Sequence, residues 1–294
     1  MASFGTGLCS PAPPIPVSLT SVEWERVGAG FRDPVDMKTA IYRAFEVSWE
    51  ELARMDLAPV DVAVLDSGID ATHPILAGRI IEAYGVEAID GRQQVVALPN
   101  DADNDLFGHG TSVGSIVARV APNARLYDVR VLGRGNLGGE DVLCAGIKHA
   151  VSHGWPVLNL SLAAGYRMRG ELQALCDQAY YRGQTVIAAR RNIPVGGDGL
   201  PAEFSACIGV DLGTYEAPFH FGFQLGFPIE LIAGGEGVTA AARGGGWTTV
   251  TGTSFATPAV SGLCALLLGA FPDLQPYEIK SILRFRAAQE ATSR

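Results

Sequence analysis

Apolar and polar residues follow two different periods along this chain, and together they predict a regular succession of strands and helices. Short apolar runs that end in glycine or polar turns are typical of buried strands, and longer stretches with apolar residues three and four apart are typical of helices. Because the two kinds of segment alternate, the pattern predicts an α/β fold with a doubly wound, mainly parallel sheet flanked by helices. The predicted strands are 60–66, 79–84, 125–132, 156–162, 184–190, 205–211 and 229–233, and the predicted helices are 109–119, 139–153, 169–182, 254–270 and 276–286.

Residues 1–57 differ in character from the rest of the chain and predict a short N-terminal extension. A proline-rich stretch at 11–16 is typical of extended chain. Two short helical stretches follow, and the second begins with Ser48 and Glu51, which have the spacing of a capping box. We therefore divide the chain into an extension at 1–57 and a main domain at 58–294.

The composition limits the classes of protein to which the chain can belong. A chain of 294 residues with 48% hydrophobic residues can bury one large core. The net charge of −9 predicts no nucleic-acid partner. The five cysteines show no paired spacing, which favours small core residues over disulfides or a zinc site. We find no signal-peptide pattern and no run of about 18 apolar residues that would span a membrane, and we expect a cytoplasmic location.

The segment 252–258 reads GTSFATP and places a serine at the start of the helix predicted at 254–270. Backbone N–H groups at a helix N-terminus have no helical partner and carry the positive end of the helix dipole. Ser254 is therefore either a helix cap or a nucleophile whose reaction forms an oxyanion beside this helix end. A base and an acid elsewhere in the chain would decide between the two.

Two further residues have the contexts that such a nucleophile requires. Asp66 ends the strand predicted at 60–66, and His109 lies between two glycines at the start of the helix predicted at 109–119. A serine hydroxyl is a weak nucleophile at neutral pH, so it needs a base within hydrogen-bond reach. A turn-forming aspartate or a solvated histidine would be ordinary alone, but the three contexts together favour a catalytic set.

The chain order Asp66, His109, Ser254 and the blocks around these residues resemble those of the subtilisin-like serine proteases, the subtilase family or peptidase family S8. The blocks are DSGID-x-x-HP at 66–74, GHGT at 108–111 and GTSFATP at 252–258. The resemblance runs from about residue 60 to about residue 284. It implies a serine endopeptidase in which Ser254 attacks the peptide bond, His109 transfers the proton and Asp66 orients His109, with no cofactor required.

The resemblance also implies residues that stabilise the oxyanion and line the substrate pocket. Asn192 follows the strand predicted at 184–190 and matches the oxyanion asparagine of the family. Arg190 and Arg191 stand where the family has alanine and glycine. The pocket would then be narrowed, or would offer a guanidinium to an acidic substrate residue. The remaining alternative is a shifted loop that takes Asn192 away from the oxyanion.

The opposite edge of the pocket is implied by the same resemblance. Ser161 and Leu162 match the serine and leucine of a strand whose backbone pairs with an extended substrate in the family. Ala163 stands where the family has glycine, and its added methyl group should also tighten the pocket.

Two features leave alternatives open. The acidic cluster at 101–105 is either a structural calcium site or a solvated turn, and no other metal site is predicted. Many subtilases carry an N-terminal propeptide, but we favour a permanent extension for residues 1–57.

The expected partner is a peptide or protein substrate, with neither nucleic acid nor membrane involved. A dedicated processing protease that cuts the leader of a precursor peptide is one interpretation. The alternative to an enzyme is a pseudoprotease that keeps the subtilisin fold as a peptide-binding scaffold.

Overall fold

The computed structural model describes residues 41–192, 197, 199–215 and 218–292, without the side chains of 290–292. The strands are β1 (Val60–Asp66), β2 (Ile80–Ile89), β3 (Arg92–Leu98), β4 (Ala124–Arg130), β5 (Val157–Leu160), β6 (Thr185–Ala189), β7 (Cys207–Gly213), β8 (Phe221–Phe223), β9 (Leu231–Gly234), β10 (Val238–Ala241) and β11 (Trp247–Val250). The helices are α1 (Trp49–Arg54), α2 (His109–Val120), α3 (Glu140–His153), α4 (Arg169–Tyr181), α5 (Thr253–Ala270) and α6 (Pro276–Thr292).

Nine of these strands form one sheet in the order β3-β2-β4-β1-β5-β6-β7-β9-β8. The two edge strands, β3 and β8, pair antiparallel with their neighbours, and the strands between them run parallel. The predicted doubly wound α/β fold is therefore confirmed. The carboxyl ends of β1, β5 and β6 lie side by side at one edge, where open α/β sheets hold their sites.

The sheet separates two hydrophobic cores, and β1 contributes to both because successive side chains of a strand point to opposite faces. Val62 and Val64 belong to the core that also contains the apolar residues of α2 and α5. Ala63 and Leu65 belong to the core built with α3 and α4. Such two-sided burial explains why the sequence of β1 is a continuous apolar run.

Helix α5 is the central helix of the first core and contacts β1, β5, β6, β7 and β9. The sequence predicts no segment able to span a membrane, and this expectation is wrong for the Thr253–Ala270 segment, which is long and apolar enough. However, 83% of that segment is buried inside the protein. Its apolar character therefore reflects a core position.

The sequence pattern misses four strands and shortens one helix. β3 reads RQQVVAL and is largely exposed, so it lacks the apolar run of a buried strand. The other missed strands are β8, which has three residues, and β10 and β11, which have four residues each. Helix α6 continues past the predicted end at 286 because the residues that follow are good helix formers without an apolar period.

The described part of the N-terminal segment packs on the first core. Residues 41–46 are helical, and Trp49 and Leu52 of α1 are buried. The Ser48 hydroxyl accepts a hydrogen bond from the Glu51 N–H at 3.1 Å, which is the N-cap half of the predicted capping box. Residues 1–40 of the predicted extension lie outside the described residues.

Four of the five cysteines lie in the described part of the chain. They are free and buried, as expected for small core residues: Cys144, Cys176, Cys207 and Cys264.

Candidate active site

Asp66 and His109 are brought into direct contact by the end of a strand and the start of a helix. Asp66 is the last residue of β1, and His109 is the first residue of α2. The His109 Nδ1 atom lies 2.7 Å from Asp66 Oδ1, which also accepts the Ser67 N–H at 2.7 Å. Because a carboxylate only accepts, Nδ1 carries the proton in this bond and Nε2 is left as the basic nitrogen.

The electrostatic environment of His109 favours its charged form. Burial alone would lower the pKa of His109, but the charge of Asp66 and its hydrogen bond raise the pKa further than burial lowers it. The more distant Asp105 also raises it. The net pKa is above the ordinary histidine value, as expected for an imidazole that a carboxylate orients and stabilises.

Two glycines allow the loops that carry Asp66 and His109 to approach closely. A Cβ atom on Gly110 would lie 2.1 Å from the Gly68 carbonyl oxygen, and a Cβ atom on Gly68 would lie 2.2 Å from the Asn104 carbonyl oxygen. Gly68 also has a φ of +98°, which L side chains rarely adopt. Larger residues at either position would force the two loops apart.

Asp105 is a positioning residue that the sequence pattern does not identify. Its buried carboxylate accepts hydrogen bonds from both loops of the site. The Oδ1 atom accepts from the Ser67 hydroxyl at 2.7 Å and the Gly108 N–H at 2.7 Å. The Oδ2 atom accepts from the Thr111 N–H at 2.9 Å and hydroxyl at 2.5 Å. Its position three residues before the GHGT block was the available signal, since short acidic side chains commonly cap turns.

Ser254 is the second residue of α5, which begins after Gly252. The next side chain, Phe255, packs its ring against His109 with 5.0 Å between the ring centroids. Ser254 is thus adjacent to a residue in contact with the imidazole, but within the described part of the chain its hydroxyl makes no hydrogen bond. Pro258 lies four residues further on and has no N–H, so the Ser254 carbonyl lacks its usual helical donor.

Asn192 lies beside Ser254, and Thr253 fixes its orientation. The Thr253 N–H donates to Asn192 Oδ1 at 3.0 Å, and the Thr253 hydroxyl is 3.1 Å from the same oxygen. A backbone N–H can only donate, so its partner must be the amide oxygen. The Nδ2 group of Asn192 therefore points away from Thr253, in a position to donate to another acceptor.

Ser254 and Asn192 line one cavity of about 580 Å³, together with Leu162, Ala163, Arg190 and Arg191. The two arginines reach in different directions. Arg190 donates to Asp211 of β7 at 2.6 Å, and Arg191 donates to the Ala164 carbonyl oxygen at 2.8 Å. The first guanidinium forms an ion pair with a carboxylate, and the second joins two segments that line the cavity.

Comparison with known proteins agrees with this geometry. The model of the subtilase family of peptidases matches residues 59–212 and 224–294. The chain belongs to the subtilase family. It is 31% identical to subtilisin DY of Bacillus licheniformis over 77% of its own length and 82% of the relative's. It is 32% identical to alkaline elastase YaB of Bacillus sp. (strain YaB) over 76% of its length, but it spans only 58% of that relative.

Solved structures give the same result for the fold. Sphericase superposes with a TM-score of 0.65 at 23% identity, covering 83% of this chain and 88% of sphericase. A cold-adapted subtilisin-like serine proteinase superposes with a TM-score of 0.62 at 26% identity, covering 78% and 82%. The subtilase fold thus accounts for the sheet order that places Asp66 and His109 together.

The segment that matches the substrate-pairing strand of subtilases runs beyond the sheet. β5 ends at Leu160, and the next backbone bridge is at Ala164, so residues 161–163 are not paired with another strand. The Ser161 hydroxyl points into the core and accepts from Asn159 Nδ2 at 3.0 Å. Ser161 therefore anchors the segment, and Leu162 and Ala163 line the cavity.

The acidic cluster at 101–105 does not fit a calcium site. Asp103 Oδ1 accepts the Asp105 N–H at 3.1 Å, and its Oδ2 pairs with Arg243 at 2.7 Å. Donors of the protein therefore occupy the oxygens that a cation would need. No group of three or more metal-ligating side chains occurs among the described residues.

Proposed function

We propose that this subtilase is a serine endopeptidase that hydrolyses peptide bonds through an Asp66–His109–Ser254 triad and an acyl-enzyme. The observation that carries the proposal is the 2.7 Å bond between Asp66 and His109, next to a helix whose N-terminal residues include Ser254. The names of the curated relatives, subtilisin DY and alkaline elastase YaB, support the same activity.

The proposed reaction assigns one role to each group. His109 Nε2 removes the proton from the Ser254 hydroxyl, and Oγ attacks the carbonyl carbon of the substrate. The resulting oxyanion accepts hydrogen bonds from Asn192 Nδ2 and from the backbone at the start of α5. The imidazolium then protonates the leaving amine, and a water molecule hydrolyses the acyl-enzyme by the same steps in reverse. These reaction steps need no cofactor.

The cavity beside Ser254 supports a narrowed, acid-tolerant pocket for the residue before the scissile bond. A Cβ atom on Gly199 would lie 2.8 Å from the Ala163 Cβ and 3.2 Å from the Arg191 Cβ, so these segments are already in close contact. Arg191 also lines the cavity, and its guanidinium donates to the Ala164 carbonyl oxygen. We propose that the enzyme prefers small or acidic residues over large apolar ones at this position.

A fluorophosphonate probe tests the activity directly. We expect the wild type and the control Ser281→Ala to be labelled, and Ser254→Ala to remain unlabelled. Ser281 is a suitable control because it is an exposed serine on α6. If the wild-type sample unfolds cooperatively but is not labelled, the proposal of peptidase activity is overturned and the pseudoprotease alternative is favoured.

A peptide library tests the pocket. Arg191→Ala removes bulk and charge, so we expect cleavage after large apolar residues to increase and cleavage after acidic residues to decrease. Arg191→Met keeps most of the bulk and removes only the charge, so it should lose the acidic preference alone. A wild-type preference for large apolar residues would contradict the narrowed pocket.

A dedicated processing role remains a prediction, with the leader of a precursor peptide as substrate and a cytoplasmic location. A selective pocket supports this role over broad degradation. Incubation with a denatured proteome and mapping of new termini should then yield few sites with a shared local sequence. Cleavage at many unrelated sites would contradict it.

A further inference from the structure

Residues 199–203 stabilise the wall of the cavity, because they contact two of the segments that line it. Gly199 lies against Ala163 on one side and Arg191 on the other. Its φ of +96° and the lack of space for a Cβ atom restrict this position to glycine. The place of Gly199 therefore determines how closely Ala163 and Arg191 approach each other.

A single carboxylate holds Gly199 in this place. Glu203 Oε1 accepts the Gly199 N–H at 2.8 Å and also accepts the hydroxyl of Tyr166. Tyr166 follows directly on the segment 161–165 that lines the cavity. Arg169 Nη1 lies 3.9 Å from Glu203 Oε2 and adds a weak electrostatic contact. Glu203 thus joins the lining segment 161–165 to Gly199.

A second connection joins Ala164 of the segment 161–165 to Leu200, the residue after Gly199. Ala164 and Leu200 exchange two backbone hydrogen bonds, of 2.7 and 3.2 Å. The Ala164 carbonyl oxygen accepts both the Leu200 N–H and the Arg191 guanidinium. The direction of Arg191 therefore depends on the position of Ala164, which the Tyr166–Glu203 contact maintains from the adjacent turn.

We propose that Glu203 and Tyr166 are positioning residues that set the substrate selectivity of this subtilase. They keep Gly199 against Ala163 and Arg191, and so hold the cavity beside Ser254 narrow. Neither residue needs to touch the substrate for this effect. The inference rests on the proposed function, because it specifies how the proposed pocket is kept narrow.

Kinetics on two peptides that differ only in alanine or phenylalanine before the scissile bond test this role. In Glu203→Ala and Tyr166→Phe, we expect the kcat/KM ratio of phenylalanine over alanine to rise about 5- to 10-fold, mainly through KM, since pocket contacts discriminate by such factors. Fluorophosphonate labelling should stay within about twofold of the wild type, because Asp66, His109 and Ser254 are unchanged.

Two further variants separate positioning from general structural effects. Glu203→Gln keeps an acceptor oxygen for Gly199 and Tyr166, so it should restore the wild-type ratio. Glu171→Ala, an exposed glutamate on the neighbouring helix α4, should leave the ratio unchanged. Tyr166→Phe keeps the ring and therefore tests the hydroxyl in a chain that folds. An unchanged ratio in both Glu203→Ala and Tyr166→Phe would overturn the proposal.

A binding measurement distinguishes failure of this proposal from failure of the proposed function. In the Ser254→Ala background, calorimetry with acetylated peptides ending in alanine or phenylalanine measures the cavity without catalysis. We expect the affinity ratio to shift toward phenylalanine when Glu203→Ala is added. If the wild type shows neither labelling nor cleavage, the enzyme proposal fails, and this ratio still supports or overturns the role of Glu203 and Tyr166.

Discussion

The Ser67 hydroxyl donates to Asp105 Oδ1 at 2.7 Å and accepts the Gly110 N–H at 3.0 Å. Ser67 follows Asp66 directly, and Gly110 follows His109. This one hydroxyl therefore connects the two loops that carry Asp66 and His109, and Asp105 fixes its direction.

Replacing Asp105 should damage both stability and activity. In Asp105→Asn, one acceptor oxygen becomes an amide group that faces N–H and O–H donors. We expect a loss of about 2–4 kcal/mol in the free energy of unfolding, because several buried donors lose their partner. Labelling by the fluorophosphonate should slow at least tenfold, or about 1.4 kcal/mol in barrier. Urea unfolding and labelling kinetics measure both effects.

Asp103→Asn is the matched control for Asp105. It lies in the same cluster, but its ion pair with Arg243 is partly exposed. We expect a change within about 1 kcal/mol. Equal losses in the two variants would contradict a special role for Asp105.

Thr253 should contribute to catalysis through Asn192. Thr253→Val removes the hydroxyl that contacts Asn192 Oδ1 but leaves the backbone N–H. We expect kcat to fall about 10-fold, less than the ~10²–10³-fold loss expected for Asn192→Ala. The double variant should be no worse than Asn192→Ala alone, since both act on the same donor. Additive losses would show that Thr253 acts independently, and Thr253→Ser should behave as the wild type.

The raised pKa of His109 sets the pH dependence of the reaction. His109 must be neutral to accept the Ser254 proton, so kcat/KM should rise with pH and level off above the His109 pKa. This inflection should lie above the ordinary value of about 6.5. The same shift stabilises the fold fully below the unfolded-state pKa, and that contribution is lost as pH rises through the folded-state pKa. Steady-state kinetics across roughly pH 5–9 measure where this inflection lies. An inflection at or below about 6.5 would contradict the prediction.

Asp128 should limit stability at neutral pH. Burial raises the pKa of this fully buried carboxyl group well above its usual range, although it accepts the Ile69 N–H at 3.0 Å. A raised carboxyl pKa means that stability is full below about pH 4 and falls as pH rises toward the folded-state pKa. Asp128→Asn can still accept from Ile69, so we expect it to unfold about 2–8 °C higher at pH 7, for a gain of about 1–2 kcal/mol. The gain should vanish near pH 4.

Asp61→Asn provides the comparison for Asp128. Asp61 is also on the central part of the sheet, but its pair with Arg125 is partly exposed. Its thermal midpoint should change little at either pH. A gain for Asp128→Asn that did not depend on pH would indicate improved packing instead of a removed charge.

The sequence was sufficient for the parallel sheet and for the positions of Asp66, His109 and Ser254, because each of the three residues lies at the boundary of a strongly apolar element. It was insufficient for Asp105, whose partners come from loops that meet only after β1 and α2 have packed. The acidic cluster therefore left a calcium site and a solvated turn open, whereas the fold supplies N–H and O–H donors to its carboxylates. Edge strand β3 was missed for a related reason, since an exposed strand leaves no apolar run.

The directions of Arg190 and Arg191 also required the sheet order. Because β6 lies between β5 and β7, one arginine reaches Asp211 of β7 and the other reaches Ala164 beyond β5. A linear sequence gives the two charges but not the strands on either side of them.

The late position of α5 in the chain has a consequence for synthesis of the protein on the ribosome. Asp66 and His109 emerge first, but Ser254 arrives with a helix that must insert against five strands already made. A nascent or truncated chain that ends before residue 253 thus lacks Ser254, the proposed nucleophile. Because contacts of such long sequence separation form slowly, the proposed site is complete only after α5 has packed against these strands.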